Sequence, residues 1–465
     1  VADRSEYFKL PINHRADIAR VPDWARDAVV YNIFPDSFAS GEGSIPGSGA
    51  ELFHNGQRVR GRLGGTLDGV AANAKYIRSM GFSCVYLNPI FAAGEYHKYD
   101  TIDYMHVDPC FGGDEAMRRM VKALHAEGIR VIIDGVFNHC GWRFWAFEDV
   151  IKNQERSRYR DWFYGLTFPV ERPADPEAYP GYTTYAYERM MPKLNTANRE
   201  VREYLCGVGQ YWIEEFGVDG WRLDVASEVD DGFWRAFRAA VKAVKPDALL
   251  IGEVWETARH WLDGDMFDST MNYDFRKHCR RFFAEGSLDA YGFAARCSDM
   301  LMRYKLQMTG VQMNLLDSHD VSRFLSVCGG DKRRYRLALL FLMCFVGMPM
   351  LFYGDELGME GVAELDYRSP MPWGGGDTHL RDFVRRAIAL RHERTELRRG
   401  SFRVISAQPG SGLLAFERRY GGKALVVCLN AGCTPAPAPA SGETLWADGL
   451  ENGVLAPWGF GVFEK

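Results

Sequence analysis

A short stretch of the chain, GWRLDVASE at residues 220–228, places an arginine and an aspartate two positions apart after a run typical of a buried strand. Side chains of a strand alternate between its two faces, so Arg222 and Asp224 share one face. A guanidinium beside a carboxylate favours the ionised acid and lowers its pKa. We therefore expect Asp224 to be an ionised carboxylate, the form that a nucleophile needs.

A second acid, Glu253, follows another short apolar run and is flanked by Ile251, Val254 and Trp255. Burial among apolar neighbours favours the protonated form of a carboxyl group, which a general acid requires. An ionised and a protonated carboxyl group on neighbouring strands form the arrangement of a retaining glycosidase, in which they lie roughly 5–5.5 Å apart. Ends of adjacent strands, about 4.8 Å apart, can supply that spacing.

Further acids and bases stand where predicted strands end, with Asp134 and His139 at the third and His319 and Asp320 at the seventh. Isolated salt bridges at loop ends could explain any one of them. Charged residues are rarely buried without a partner, however, and packing does not explain a set that recurs at four strand ends. We therefore interpret the whole set as a catalytic site.

The elements that must position these side chains are eight short apolar runs separated by helical patterns. The runs are 28–34, 82–88, 129–137, 218–226, 248–255, 267–273, 310–318 and 349–356. Met117, Met120, Val121 and Leu124 show the helical spacing. Eight strand–helix units predict an α/β fold, a (β/α)₈ TIM barrel, with chemistry at the carboxyl ends of the strands. An open doubly wound sheet is the alternative, but no GxGxxG follows the first strand.

Two stretches interrupt this order. Residues 139–195 are aromatic and rich in proline, and a structureless loop of that length is improbable, so we predict an inserted subdomain after strand three. From residue 396 the apolar pattern has period two, which predicts a C-terminal antiparallel β-domain, a β-sandwich, over 396–465. The barrel would then comprise residues 1–138 and 196–395.

Composition excludes several classes of partner. The net charge of −5 is spread without a long run of one sign, so we expect no nucleic-acid partner. The longest apolar run, 337–353, contains glycine and proline and predicts a helix end and a core strand rather than a membrane helix. The ten scattered cysteines form no CxxC pair, and we predict buried free thiols in a reducing compartment. Without a signal segment the protein is expected to be cytoplasmic, and an extracellular location stays open.

These motifs together resemble the α-amylase family of glycoside hydrolases, family 13, over nearly the whole chain. DGVFNH (134–139), GWRLDVASE, GEVW (252–255) and LLDSHD (315–320) look like its four conserved regions. MPKLN (191–195) is similar to the stretch that marks the neopullulanase, cyclomaltodextrinase and maltogenic amylase subfamily.

The resemblance implies a retaining α-glucan hydrolase that cleaves α-1,4-glucosidic bonds in maltooligosaccharides, cyclodextrins or starch fragments through a covalent glycosyl-enzyme. An α-glucanotransferase, in which transglycosylation dominates, is the alternative within the family. A catalytically inactive, sugar-binding barrel is disfavoured because all three acids of the family are present.

Position by position, the resemblance implies Asp224 as nucleophile, Glu253 as acid and base, and Asp320 as the residue that holds the distorted sugar. Arg222 would orient Asp224, and Asp134 would brace Arg222. The other residues implied to bind the sugar are His97, Tyr99, His139, His319, Arg368, Glu364 and Trp255. The aromatic residues of the insert are expected to pack in its core rather than line acceptor subsites; they are Trp142, Phe144, Trp145 and Tyr185.

The sequence departs from the family pattern in two places. Glu364 stands where the family has an aspartate after strand eight, with Asp366 as a second candidate, so the donor side is expected to differ in size preference. Relatives of the subfamily usually carry an N-terminal β-domain that helps form a dimer, whereas residues 6–41 here resemble the junction and the first strand. We therefore expect an open cleft and a monomer rather than a dimer.

Some family members bind calcium between barrel and insert through the equivalent of Asn138. The sequence contains no DxDxDG loop and no dense cluster of oxygen ligands. We expect no cofactor and no essential metal, with a structural calcium as the alternative.

Overall fold

Eight parallel strands close into a barrel. The structure is a computed structural model, and it describes residues 18–41, 51–54, 57–171, 179–440 and 442–465. The barrel strands are β1 Val30–Ile33, β2 Cys84–Leu87, β3 Arg130–Gly135, β4 Gly220–Leu223, β5 Leu249–Gly252, β6 Ser269–Asn272, β7 Met313–Leu315 and β8 Met348–Phe352. Each predicted run overlaps one of them, and β8 begins one residue before its run. Because β8 pairs with β1, the sheet is closed and the doubly wound alternative is excluded.

The period-two alternation of the strands separates two cores. Val30 points into the barrel, while Val29 and Tyr31 pack outward against the helices. The inner core is filled mainly by the side chains of Val30, Cys84, Tyr86, Ile132, Leu249, Ile251, Met271, Met313, Leu315, Met348 and Met350. This packed interior leaves the strand ends as the place where polar side chains reach solvent.

Helices surround the barrel. The longer helices are Leu67–Ala72, Ala74–Met80, Gly113–Ala126, Arg199–Phe216, Asp231–Val244, Tyr273–Cys279, Ala290–Met302, Lys332–Cys344 and Thr378–Glu393. The short ones are Pro35–Phe38, Leu306–Thr309, Phe324–Val327, Glu364–Tyr367 and Thr395–Arg399, with 3-10 turns at Asp23–Asp27, Pro109–Phe111, Ala226–Glu228, Arg259–Trp261 and Asp355–Leu357 and a π-turn at Arg280–Ala284.

Local sequence explains several helix boundaries. The side chain of Asn198 accepts the first free N–H groups of the helix Arg199–Phe216, and Gly217, at a φ of 72°, ends it. The long apolar run 337–353 divides, as predicted, into the end of the helix Lys332–Cys344 and strand β8. Within the described ranges, no helix is long and apolar enough to cross a membrane.

An inserted subdomain follows β3, which confirms that part of the predicted fold. It contains the helix Trp145–Asn153, 3-10 turns at Gln154–Arg156 and Arg160–Trp162, and a hairpin of Thr184–Tyr185 with Glu188–Pro192. Two further hairpins pair Glu51–His54 with Gln57–Arg60 and Phe91–Ala93 with Thr101–Val107. The predicted limits at 139 and 195 stay predictions, and residues 1–17 of the predicted barrel lie outside the described residues.

The C-terminal β-domain is antiparallel, as predicted. Its strands are β9 Ser401–Ala407, β10 Leu413–Tyr420, β11 Lys423–Asn430, β12 Ala436–Pro437, β13 Glu443–Glu451 and β14 Val454–Glu464, and all belong to one hydrogen-bonded sheet. One face, with Phe416 and Val427, joins the barrel core, while the other, with Ala415 and Val426, forms a small core of its own. The sandwich arrangement and the boundary at residue 396 stay predictions.

All ten cysteines lie in described residues, and none forms a disulfide there. Seven are buried, as predicted, whereas Cys110 and Cys206 are partly buried and Cys433 is exposed.

Candidate active site

A cleft of about 500 Å³ opens at the carboxyl ends of the barrel strands. Nearly all predicted site residues line it, namely Asp224, Glu253, Asp320, His97, Tyr99, His139, Trp255, Glu364 and Arg368. The two others, Arg222 and His319, are fully buried and contact the acids of the cleft. The fold thus brings the whole predicted set together at one end of the barrel.

Arg222, at the end of β4, contacts four carboxylates. Its Nη1 donates to Asp224 Oδ1 at 2.7 Å and to the two oxygens of Asp134 at 2.9 and 3.0 Å. Its Nη2 lies 2.9 Å from Glu253 Oε2 and 4.0 Å from Asp320 Oδ2. The parallel register places Arg222 opposite Asp134 of β3, so closure of the barrel delivers these acids to one guanidinium.

One buried guanidinium cannot neutralise four neighbouring acids. Burial raises the pKa of Asp224 well above its usual range; Arg222 opposes this, and the charges of Glu253 and Asp134 reinforce it. Burial likewise raises the pKa of Asp320 to about 7. Arg222 lowers the pKa of Asp224, as predicted, but the predicted net result is wrong: the pKa is raised, because desolvation and the adjacent acids outweigh a single cation. Asp224 and Asp320 therefore bind a proton more readily than free carboxyl groups do.

Glu253 is held from both sides at the end of β5. The backbone N–H of Val225 donates to its Oε2 at 2.9 Å, and the indole N–H of Trp255 donates to its Oε1 at 3.0 Å. The Trp255 ring stacks on Tyr273 with centroids 3.8 Å apart and remains 51% exposed. Trp255 therefore contacts the acid through its edge and offers a free ring face to the cleft.

Tyr99, His319 and Asp320 form a second linked group. The Tyr99 hydroxyl is hydrogen-bonded to His319 Nε2 and lies 3.1 Å from Asp134 Oδ2. His319 Nε2 is 3.0 Å from Asp320 Oδ2, and the rings of Tyr99 and His319 stack almost in parallel. Burial lowers the pKa of His319 well below its usual range, with Arg222 acting in the same direction, so this imidazole is neutral.

Two further histidines of the cleft are also neutral. Burial lowers the pKa of His97 to about 4 and that of His139 to about 3. A neutral imidazole offers one donor and one acceptor, which suits sugar hydroxyls. His139 stacks on Tyr185 with centroids 4.7 Å apart, and Tyr185 lines the cleft. The prediction that Tyr185 packs in the subdomain core is therefore wrong, because its ring stacks on His139 at the wall of the cleft.

The donor side of the cleft contains a short hydrogen-bonded chain. Arg368 Nη1 donates to Glu364 Oε1 at 2.5 Å, Tyr96 Oη donates to the same oxygen at 2.7 Å, and Arg368 Nη2 donates to Asp320 Oδ1 at 3.4 Å. Glu364 lines the cleft, whereas Asp366 accepts the N–H of Ala363. A second cavity of about 510 Å³ shares His97, Met191 and Glu364 with the cleft and extends it.

Two site residues were missed by the sequence reasoning. Tyr86, on β2, donates to Asp134 Oδ2 at 2.7 Å, and Asn88, just beyond that strand, donates to Tyr99 Oη at 3.2 Å. They are polar residues two positions apart at a strand end, the same signal that singled out Arg222 and Asp224.

The residues around Asn138 do not fit a calcium ion. Lys193 Nζ donates to Asn138 Oδ1 at 2.7 Å, so an ammonium already occupies the neighbourhood of the oxygen that a metal would need. In the part of the chain that the structure describes, no group of three or more His, Cys, Asp or Glu is placed to hold a metal ion.

Fold and site together define a barrel enzyme with a carboxylate site suited to glycoside cleavage. The family described as "Alpha amylase, catalytic domain" matches residues 32–396. The chain is 43% identical to a cyclomaltodextrinase of Geobacillus thermopakistaniensis, over 99% of this chain and 81% of that protein. It is also 43% identical to Neopullulanase 2 of Thermoactinomyces vulgaris, over 97% of this chain and 78% of that protein.

A solved structure of a cyclomaltodextrinase superimposes with a TM-score of 0.87 at 36% identity, covering 100% of this chain and 80% of that one. The chain therefore belongs to the α-amylase family of glycoside hydrolases, and it is an α-glucan hydrolase.

Proposed function

We propose that the protein hydrolyses α-1,4-glucosidic bonds with retention of configuration, with Asp224 as nucleophile and Glu253 as general acid and base. The observation that carries this proposal is the contact of Arg222 with both acids, at 2.7 Å to Asp224 and 2.9 Å to Glu253. Two carboxylates on adjacent nitrogens of one planar group are close neighbours, as the roughly 5–5.5 Å separation in retaining enzymes requires.

In the first step Asp224 attacks the anomeric carbon while Glu253 gives its proton to the leaving glycosidic oxygen. The C1–O bond breaks, a bond from C1 to Asp224 forms, and the shortened chain leaves with the proton. Asp224 accepts a hydrogen bond from Arg222 at 2.7 Å, whereas Asp320 lies 4.0 Å from that guanidinium. Asp224 must be ionised for attack, and the charge of Arg222 favours that form against the effect of burial on the Asp224 pKa.

In the second step Glu253, now a carboxylate, takes a proton from water, and the resulting oxygen nucleophile displaces Asp224 from C1. Each displacement inverts the anomeric carbon, so two displacements retain its configuration. Asp320 would stabilise the positive charge that develops at the sugar. His319 and Arg368, which contact Asp320, would hold it in position.

The remaining residues of the cleft would bind glucose units. The neutral imidazoles of His97 and His139 can pair with hydroxyl groups, and Tyr99 can cover the apolar face of the reacting sugar. The exposed face of Trp255 lies next to Glu253 and would support the sugar on the leaving-group side.

We propose maltooligosaccharides, cyclodextrins and starch fragments as substrates. The names of the relatives, cyclomaltodextrinase and neopullulanase, support this choice, because the chain matches them over nearly its whole length. The free thiols support a reducing compartment. We also propose that the protein is a monomer, which light scattering in solution tests.

A timed product profile on maltoheptaose, β-cyclodextrin and pullulan tests the reaction, and ¹H NMR of the first product tests its stereochemistry. We expect cleavage of the α-1,4 bonds and an initial α-anomer. A β-anomer would exclude the retaining mechanism. Early accumulation of chains longer than the substrate would show that transfer, rather than hydrolysis, dominates.

A further inference from the structure

The ammonium of Lys193 lies between two oxygen atoms where the insert meets the barrel. Lys193 Nζ donates to Asn138 Oδ1 at 2.7 Å and to Glu228 Oε2 at 3.1 Å. The Lys193 side chain is 18% exposed, so the charge is largely removed from solvent. The ammonium lies at the edge of the protein interior, since the Glu228 side chain that it contacts is 47% exposed.

The backbone holds Lys193 in place independently of its side chain. Lys193 forms an antiparallel bridge with His139, its N–H donates to Thr183 O at 2.9 Å, and the next N–H, of Leu194, donates to Asn138 O at 3.0 Å. Glu228 belongs to the turn Ala226–Glu228, which follows Asp224. The ammonium thus joins the insert to the loops after β3 and β4.

The chemistry of these partners is that of a cation site. An amide oxygen and a carboxylate oxygen are ligands that Ca²⁺ prefers, and Ca²⁺ requires six to eight such oxygens at roughly 2.3–2.6 Å. An ammonium 2.7 Å from Asn138 Oδ1 occupies that coordination space and neutralises Glu228. The protein therefore supplies from its own chain a positive charge at the place where a metal would bind.

This charge also fixes the direction of the Asn138 amide. An ammonium can only donate hydrogen bonds, so Oδ1 must face Lys193 and Nδ2 must point the other way. Asn138 Nδ2 lies 3.3 Å from Nδ1 of His139, whose ring lines the cleft and stacks on Tyr185. A contact chain therefore runs from Lys193 through Asn138 to a residue proposed to bind the sugar.

We propose that Lys193 is a positioning residue whose ammonium replaces a divalent cation, tying the insert to the barrel and orienting Asn138 and His139, so that the enzyme needs no calcium at this place. The effect on turnover rests on the proposed function, whereas the effect on stability and on metal binding does not. Replacement of the ammonium by a carboxylate would add a third oxygen-bearing side chain beside Asn138 and Glu228, and with water as further ligand it should make the protein respond to calcium.

The test compares the wild type with Lys193→Met and Lys193→Asp in EDTA and in millimolar calcium chloride, with melting temperature and kcat/KM as readouts. We expect no response of the wild type to calcium by melting temperature or by calorimetric titration with the metal alone. Lys193→Met should melt several degrees lower and lose about tenfold in kcat/KM, the lower end for a residue that orients a ligand-contacting group. Calcium should not restore it.

Lys193→Asp should melt lower in EDTA and regain most of the lost melting temperature when calcium is added. The matched control is Lys277→Met, a change at an exposed lysine, which should leave both readouts unchanged. Calcium that stabilises the wild type, or wild-type stability in Lys193→Met, would overturn the proposal, as would a Lys193→Asp variant indifferent to calcium. A wild type without activity on α-glucans would refute the proposed function. The melting temperatures would then still test whether Lys193 stabilises the protein and replaces calcium.

Discussion

Arg222 and Asp224 leave the same barrel strand two residues apart, and their side chains meet at 2.7 Å. The same guanidinium also reaches Asp134 and Glu253, at 2.9 Å each. Arg222 therefore fixes the relative positions of the proposed nucleophile and the proposed acid. Its own position is fixed by full burial and by the pairing of β3 with β4.

Replacement of the proposed nucleophile should abolish turnover without unfolding the protein. In Asp224→Asn we expect kcat on maltoheptaose to fall by several orders of magnitude, because an amide oxygen cannot form the covalent intermediate. The melting temperature should stay the same or rise, since burial and the adjacent acids disfavour a charge at Asp224. Rates near those of the wild type would contradict the assignment.

Arg222→Lys should reduce kcat about 100-fold or more, because an ammonium cannot hold Asp224 and Glu253 through two nitrogens at once. Steady-state kinetics on maltoheptaose measures the loss. The matched control is Arg235→Lys, at a half-exposed residue paired with Asp265, which should keep the activity. Equal behaviour of the two variants would mean that Arg222 does not organise the acids.

Glu253→Gln should discriminate between leaving groups. Hydrolysis of maltooligosaccharides, whose leaving oxygen needs a proton, should be almost lost, whereas aryl glycosides with activated leaving groups should retain much more of their rate. The ratio of kcat/KM for the two substrate types measures this difference. Equal losses on both would argue against Glu253 as the proton donor.

The exposed face of Trp255 should determine how strongly the sugar on the leaving-group side binds. We expect Trp255→Ala to raise KM for maltoheptaose and to lower the yield of transfer products, because stacking with the acceptor sugar is removed. Trp255→Phe keeps a ring above Tyr273 but not the N–H to Glu253, and it should preserve KM better than kcat. A product profile that is the same in both variants and the wild type would mean that the acceptor sugar does not contact Trp255.

Stability at the opposite end of the barrel should depend on pH through Asp219, just before β4. Burial acts to raise its pKa, but hydrogen bonds from His125, Lys245 and the N–H of Val131 outweigh burial and hold the pKa well below its usual range. A depressed pKa stabilises the folded state above the ordinary aspartate value, about 3.9, and that contribution is lost as the pH falls further.

Asp219→Asn should therefore reduce the free energy of unfolding at pH 7 by about 3 kcal/mol, as for a buried ion pair that loses one partner. The difference from the wild type should narrow below about pH 4. Denaturant unfolding across this pH range provides the measurement. A difference that is independent of pH would mean that the charge of Asp219 contributes nothing.

Much of the fold could be predicted because its signals are local. Period-two and period-3.6 patterns located all eight strands and the helix around Met117, and the closed barrel then placed the strand ends together. The same logic brought the predicted site residues into one cleft, although their catalytic roles stay predictions. Tyr86 and Asn88 carried an equivalent local signal.

The sequence by itself determined which side chains stand at the strand ends, because residue identity and strand period are properties of neighbouring positions. Only the tertiary structure decided how many acids contact Arg222, that Tyr185 stacks on His139, and that Lys193 donates a hydrogen bond to Asn138. These depend on desolvation and on contacts between residues far apart in the chain. The net direction of the Asp224 pKa is such a property, since it sums burial with the charge of Arg222 on the same strand and with charges from two other strands.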